Sequence, residues 1–331
     1  MENITEILQY YGIFPQAIVQ ISDRVFKIKA NGKEYALKRS RLSKQSLKTW
    51  LSVYQNAARQ NLYEIIPVYL TQQKQLYVEA DGENYYLTPW IPSNHRNIGE
   101  HRLHSIYKQL GRIHLQTKSM YQLGKKELVN NFQAYKDSCK DNESRLLAWV
   151  EKIEQTHYPS PIELQVLTHF RDLRLSFQRS QSLVDQIIYQ SESETNWGIS
   201  LNHGNMQLGH LFEHYIINWE RASYKHAIYD LVDLFHDGII REPQVSHQYI
   251  ESFPVYMEEN PLNRLEQCLL SLYLLNSNDY IKMMESYHTK SIRNQSHIRQ
   301  SMELEQMYRM VVFGLNFDAY IERNATGTEQ D

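Results

Sequence analysis

His203, Asn205, His210, Asn218 and Glu220 fall close together in one short stretch. His203-Gly204-Asn205 opens this stretch, His210 follows, and Asn218-Trp219-Glu220 closes it. The apolar pieces between them include Tyr215-Ile216-Ile217 and read as two short strands of a hairpin, which sets the polar ends side by side. Loops held in this way by a scaffold are a good geometry for a site. Their chemistry is restricted. A neutral amide cannot take up a proton near neutral pH, so neither Asn205 nor Asn218 is a general base. Imidazole suits zinc or copper better than magnesium. A structural zinc needs about four ligands, and no further Cys or His cluster completes a set around His203 and His210. Among the nearby acids Glu213, Glu220, Asp230 and Asp233, Glu220 follows Asn218 most closely. A displaced metal site through Glu220 or Asp233 stays open at this level.

Lys38 is the second residue of interest. Asn31-Gly32 is a strong two-residue hairpin signal, and it joins the alternating run Val25–Lys29 to the return strand Tyr35–Arg39. Lys38 therefore sits in mid-strand, either as a contact for an anionic ligand or as a solvated residue on the sheet surface. Ahead of it, Gln20-Ile21-Ser22-Asp23-Arg24 contains no glycine. Ser43–Asn61 reads as a helix with Leu47, Trp50, Leu51, Tyr54, Ala57 and Ala58 on one stripe. No acidic residue lies between Arg39 and Tyr63. A helix is also expected at the N-terminus, capped by Asn3 and stopped by Gly12. Val68–Leu70 and Leu76–Val78 are expected as strands. The run Tyr85–Pro92 reads as a stiff connector, its two prolines fixing the backbone.

Beyond Pro92 the spacing of apolar residues is helical. Expected helices cover 101–116, 128–135, 144–154, 162–189, 262–275, 280–288 and 303–321. Tyr229-Asp230-Leu231 lies at another helix start, where a carboxylate ordinarily accepts hydrogen bonds from backbone N–H groups.

Composition sets the bounds. The chain has 331 residues, 42% hydrophobic and 22% charged, which is ordinary for a folded protein. With 35 basic and 38 acidic residues its net charge is -3, so there is no electrostatic case for nucleic acid. Tyrosine is the anomaly, with 24 Tyr against 10 Phe. Tyr favours half-buried positions and interfaces. The two cysteines, Cys139 and Cys268, lack metal-site spacing and are expected as free thiols. No stretch is long and apolar enough to span a bilayer, and no signal segment is recognised.

The central stretch resembles the catalytic core of aminoglycoside phosphotransferases and choline kinases, which share the protein-kinase fold. Their loop reads H-G-D-x-x-x-x-N, and the next strand ends in an aspartate. Asn205 stands at the place of the catalytic Asp, His210 at that of the metal-binding Asn, and Asn218 at that of the second metal-binding Asp. Ala36-Leu37-Lys38 resembles the strand lysine that meets nucleotide phosphates. Leu110-Gly111-Arg112-Ile113-His114 is similar to the family's L-G-x-x-H helix. The resemblance implies an α+β, two-lobe fold, with a small antiparallel-sheet N-lobe and hinge over 1–92 and a mainly helical C-lobe over 93–331. It also implies a hinge contact at Trp90, and structural roles for His203 and Asp230.

Within that fold, Ala36-Leu37-Lys38, Leu87-Thr88-Pro89-Trp90-Ile91, His203-Gly204-Asn205 and Ile217-Asn218-Trp219 resemble the CotS-related spore coat group. That implies a protein made in the mother-cell cytoplasm and deposited on the spore coat, with coat proteins as partners and the oligomeric state open. The changed site residues, the absent helix glutamate and the absent glycine loop favour an inactive kinase-like protein. No catalytic residue, metal or cofactor is expected, apart from weak ATP binding through Lys38 and Trp90. A divergent phosphotransferase, or an inactive kinase that still holds nucleotide, are the alternatives.

Overall fold

The computed structural model describes residues 2–92, 100–122, 124–191, 196–289 and 296–327. The chain divides into two compact units, Met1–Lys118 with Ile199–Asp230, and Ser119–Gly198 with Leu231–Asp331. The expected lobe boundary at Pro92 falls directly before residues 93–99, which lie outside the described residues.

The first unit is built on an antiparallel sheet. Helix α1 (Glu2–Gln9) leads into strands β1 (Ala17–Ser22), β2 (Val25–Ala30) and β3 (Lys33–Ser40). Helix α2 (Lys44–Gln60) follows, then β4 (Val78–Ala80) and β5 (Glu83–Pro89), in the spatial order β1-β2-β3-β5-β4. Asn31 and Gly32 both take positive φ, as a tight hairpin requires. The register places Lys38 opposite Val25 on one side and Tyr86 on the other. Because strand side chains alternate between faces, the opposite face carries Ile28, Leu37, Tyr85 and Leu87, and Ile4, Ile7 and Leu8 of α1 pack against it. Ser43 caps α2 by accepting from the Ser46 N–H, and Asn61 ends the helix in the left-handed region. The stripe buries Trp50, Val53 and Tyr54.

Val68–Leu70 is not a strand. Pro67 lacks an N–H, and the segment makes a single bond to the sheet, from the Tyr69 N–H to the Leu87 carbonyl at 2.8 Å. Helix α3 (Glu100–Thr117) completes the first part of the unit.

The second unit is mainly helical. After β6 (Ser119–Gln122) come two thirty-residue helices, α4 (Lys125–Glu154) and α5 (Pro161–Gln190). The two expected helices at 128–135 and 144–154 are thus one continuous α4: between them Asp137, Ser138, Lys140 and Asp141 are exposed while Cys139 and the polar Asn142 are buried, so the apolar period is interrupted. Ser160 and Glu163 form a capping box at the start of α5. The chain then makes β7 (Asn196–Asn202) and, back within the first unit, β8 (Leu211–Phe212), β9 (Tyr215–Ile216) and β10 (Ser223–Lys225). It ends in α6 (Ile228–Arg241), α7 (Ser246–Glu251), α8 (Phe253–Glu259), α9 (Arg264–Leu274), α10 (Asn278–His288) and α11 (His297–Gly327). Leu146, Val150, Val166, Leu173, Phe177, Met284, Leu304 and Val311 form the helical core. Both cysteines are free and buried. No helix among the described residues is long and apolar enough to cross a membrane.

Candidate functional site

The hairpin read from the sequence is present as β8 and β9, with Leu211 opposite Ile216 and Phe212 opposite Tyr215. The segment after α2 holds it in place. The Ile216 N–H donates to the Glu64 carbonyl at 2.7 Å, and the Ile66 N–H donates to the Ile216 carbonyl at 3.3 Å. Arg102 of α3 donates to the carbonyls of Leu208 and Leu211, at 2.9 and 3.1 Å, and so fixes the turn that carries His210.

Lys38 and Asn218 are brought together. The Lys38 ammonium donates to Asn218 Oδ1 at 2.5 Å. Asn218 adopts φ 70, ψ 52, a left-handed conformation that Asn tolerates better than most residues. Lys38 is only 9% exposed, so it is not a solvated surface lysine. Burial presses its amine below the ordinary value, while the neighbouring Glu220 carboxylate acts in the opposite direction. Glu220 in turn accepts a hydrogen bond from the Tyr86 hydroxyl. Burial first, then the Glu220 charge, raises the Tyr86 and Tyr54 hydroxyls well above their usual range, which keeps both protonated. Trp50 packs against both rings, with centroids 4.8 Å from Tyr54 and 4.9 Å from Tyr86. Helix α2 therefore presents aromatic rings to this region and no carboxylate, and the acid near Lys38 comes from Glu220 instead.

Asp230 organises the loop. It accepts from the His203 N–H at 2.6 Å and the Gly204 N–H at 2.9 Å, and lies 3.3 Å from His114 Nε2. Burial opposes charge on Asp230, but the hydrogen bonds it makes with His114 and the His203 backbone outweigh it and hold the carboxyl below its usual range. Its backbone partners are thus in the loop, not in its own helix start. His203 Nε2–H donates to the Ile217 carbonyl at 2.8 Å, which fixes the tautomer. Its Nδ1 has no hydrogen-bond partner among the described residues. Burial lowers the His203 pKa and keeps the ring neutral. The ring lies 5.0 Å from those of His210 and Trp219. Gly204 has φ +77, and a Cβ there would meet the Arg221 carbonyl oxygen at 2.2 Å. Asn205 is half-buried and makes no side-chain hydrogen bond among the described residues.

Trp90 follows the end of β5. Its N–H donates to the Glu34 carbonyl at 3.1 Å. The Lys27 ammonium lies 4.9 Å above its ring and pairs with Glu34 at 2.8 Å. Lys27 stands opposite Ala36 in the register. Lys27, Tyr86 and the role of Glu220 escaped sequence reasoning. Lys27 and Tyr86 had a signal, since each sits one strand over from a residue of the Ala36-Leu37-Lys38 run.

A magnesium ion, which phosphotransfer on this fold implies, does not fit these donors. Magnesium prefers hard oxygens, chiefly carboxylates. Asn205 and Asn218 are neutral amides, the Asn218 oxygen takes the Lys38 ammonium, and Glu220 takes the Tyr86 hydroxyl. Among the described residues no group of three or more His, Cys, Asp or Glu could hold a metal ion.

No protein-family model and no curated protein matches the sequence. Solved structures do. An aminoglycoside phosphotransferase from Alicyclobacillus acidocaldarius is similar over 97% of this chain and 96% of its own, with TM-score 0.71 and 16% identity. A spectinomycin phosphotransferase in an AMP-bound complex is similar over 95% and 98%, with TM-score 0.56 and 16% identity. An amicoumacin kinase in complex with AMP-PNP and Ca2+ is similar over 94% and 92%, with TM-score 0.52 and 14% identity. The chain has the α+β fold of the aminoglycoside phosphotransferases, with a small antiparallel sheet and a mainly helical part.

Proposed function

We propose that this chain is a kinase-fold protein that does not transfer phosphate and acts by binding partners. The observation that carries the reading is the Lys38–Asn218 contact. The lysine expected at nucleotide phosphates is engaged by the residue expected to hold metal, so one internal bond occupies both. Lys27 over Trp90 adds a second internal contact at the expected hinge. Any ATP bound there is held weakly and without help from metal. On the resemblance to the CotS-related group, the partners are spore coat proteins. The place of action is then the coat, after synthesis in the mother-cell cytoplasm, with the lobes dividing near Pro92.

Isothermal titration with ATP, with and without magnesium, tests the closed site. The expected result is weak binding that magnesium does not strengthen. Micromolar affinity that falls at least tenfold without magnesium, about 1.4 kcal/mol, sinks it. A fluorescent fusion that stays diffuse in the mother cell throughout sporulation sinks the coat assignment separately.

One observation favours a second reading, a divergent phosphotransferase. Glu220 keeps a carboxylate within electrostatic reach of Lys38. Magnesium-dependent phosphate transfer abolished by Glu220→Gln would establish that reading in place of the first.

A further inference from the structure

Between Arg24 and Gln60 the chain carries ten basic residues and one acid, on a molecule whose net charge is -3. Part of that positive charge is met internally: Lys38 by Asn218, Lys27 by Glu34, and Arg39 and Arg41 both by Glu83. The part on α2 is not. At 3.6 residues per turn, Lys44, Lys48, Gln55 and Arg59 fall within about 60° of arc, away from the face that buries Trp50, Val53 and Tyr54. Lys44, Lys48 and Arg59 are exposed. The two lysines make no hydrogen bond or ion pair among the described residues, and Arg59 donates to the neutral Asn56 amide oxygen at 3.2 Å.

Helix stability does not account for this ridge. Side chains four positions apart on a helix are neighbours, and like charges there repel. Lys44 and Lys48 are such a pair, and α2 contains no acid to relieve them. The far end of the ridge is aromatic. Asn56 donates to the Tyr224 hydroxyl at 2.6 Å, which sets that residue of β10 beside α2. Tyr63 follows the helix and is 74% exposed. Tyr and Arg are the residue types that most often anchor protein interfaces.

We propose that the exposed face of α2 docks an acidic segment of a partner protein, its carboxylates on Lys44, Lys48 and Arg59. This names the chemistry of the partner, and it rests on the reading of the chain as a partner-binding protein. Charge selects a short segment over an extended polyanion. A nucleic acid duplex or an anionic bilayer meets the acidic remainder of the chain as well as the ridge. A segment matched to α2, about 25 Å long, meets the ridge alone.

The probe is a Glu-rich helical peptide of about 20 residues, with its Gln counterpart as the neutral control. Each is titrated into the full chain and followed by fluorescence anisotropy. The acidic peptide is expected to bind at least about tenfold more tightly, and the preference to shrink as salt rises from about 0.05 to 0.3 M. Lys44→Gln with Lys48→Gln is expected to remove most of that preference. Lys29→Gln with Lys33→Gln takes the same charge from exposed positions beside the Asn31-Gly32 hairpin and is expected to keep it. Thermal unfolding checks that both pairs of substitutions leave the chain folded. Equal affinity for the two peptides, equal losses in the two variants, or tighter binding of a DNA duplex or of phosphatidylserine vesicles overturns the proposal. The ATP titration reads the closed site on the same protein, so failure of this surface and failure of the closed-site reading are told apart.

Discussion

The Lys38 ammonium and the Asn218 amide oxygen are hydrogen-bonded at 2.5 Å across 180 residues of sequence. This joins the third strand of the sheet to the end of the loop hairpin. The bond satisfies a buried cation with a neutral acceptor, and a pH signature follows. Lys38 has a folded pKa below its ordinary 10.5. Between that lowered value and 10.5 the unfolded chain binds more protons than the folded one, so this group makes stability rise with pH. Tyrosines with raised values act oppositely near pH 10, so the difference between variants is the readout. Lys38→Met is expected to lose the alkaline gain, and Asn218→Asp to flatten it by about 1 kcal/mol, roughly one pKa unit. Urea unfolding across the alkaline range measures both. Parallel pH profiles for all three proteins contradict the assignment.

Asp230 gives the complementary acid signature. Its folded pKa is depressed below 3.8, so its contribution is complete above 3.8 and is lost as pH falls through the lower folded value. Asp230→Asn is expected to cost about 3 kcal/mol at neutral pH, as the loss of one partner from a buried pair does. The gap between wild type and variant should close in acid. A constant gap at all pH values means that the carboxylate charge is not what matters.

Gly204 tests the loop itself. An Ala side chain at φ +77 would drive its Cβ into the Arg221 carbonyl oxygen, which is backbone and cannot swing aside. Gly204→Ala is expected to destabilise by about 2 kcal/mol or more, seen as a lower thermal midpoint. Gly32→Ala has open space around its Cβ and carries only the positive-φ strain, so it should cost less. Equal losses at the two sites would show that the close approach to Arg221 is unimportant.

Restoring acids at the site should not restore chemistry. Asn205→Asp with Asn218→Asp supplies two carboxylates, but α2 still presents Trp50 and Tyr54 in place of an acid. The β1–β2 turn still lacks glycine. No phosphate transfer is expected from the pair in a radiolabelled ATP assay. Robust turnover would mean that only these two side chains hold the site silent.

The contact at Lys38 was only half legible in the sequence. Spacing placed Lys38 on a strand and Asn218 at the end of a hairpin, because alternation and turn chemistry are local. That the two side chains meet depends on how 199–230 returns to the first unit, and no local pattern encodes that return. The same limit hid Glu220. Its position suggested a metal oxygen, whereas Tyr86, from a strand 134 residues earlier, takes it. Among the helices, α5 was readable nearly to its ends because Ser160, Pro161 and Glu163 mark its start. Helix α4 was split in two because its apolar period is interrupted in the middle, where the buried Asn142 is polar. The short α7 and α8 offered too few turns to show a period at all.

The first unit is discontinuous, since Ile199–Asp230 joins Met1–Lys118 only after the whole α4–α5 hairpin has been made. Synthesis adds about 5–20 residues per second, so roughly 5–20 seconds separate emergence of the sheet from emergence of its partner segment. Lys38 and Tyr86 lack their partners Asn218 and Glu220 during that interval. The contacts between α4 and α5 are sequence-local and form quickly, while the core beneath them is completed later by Met284, Leu304 and Val311. On the ribosome α4 and α5 therefore emerge before the first unit can be completed.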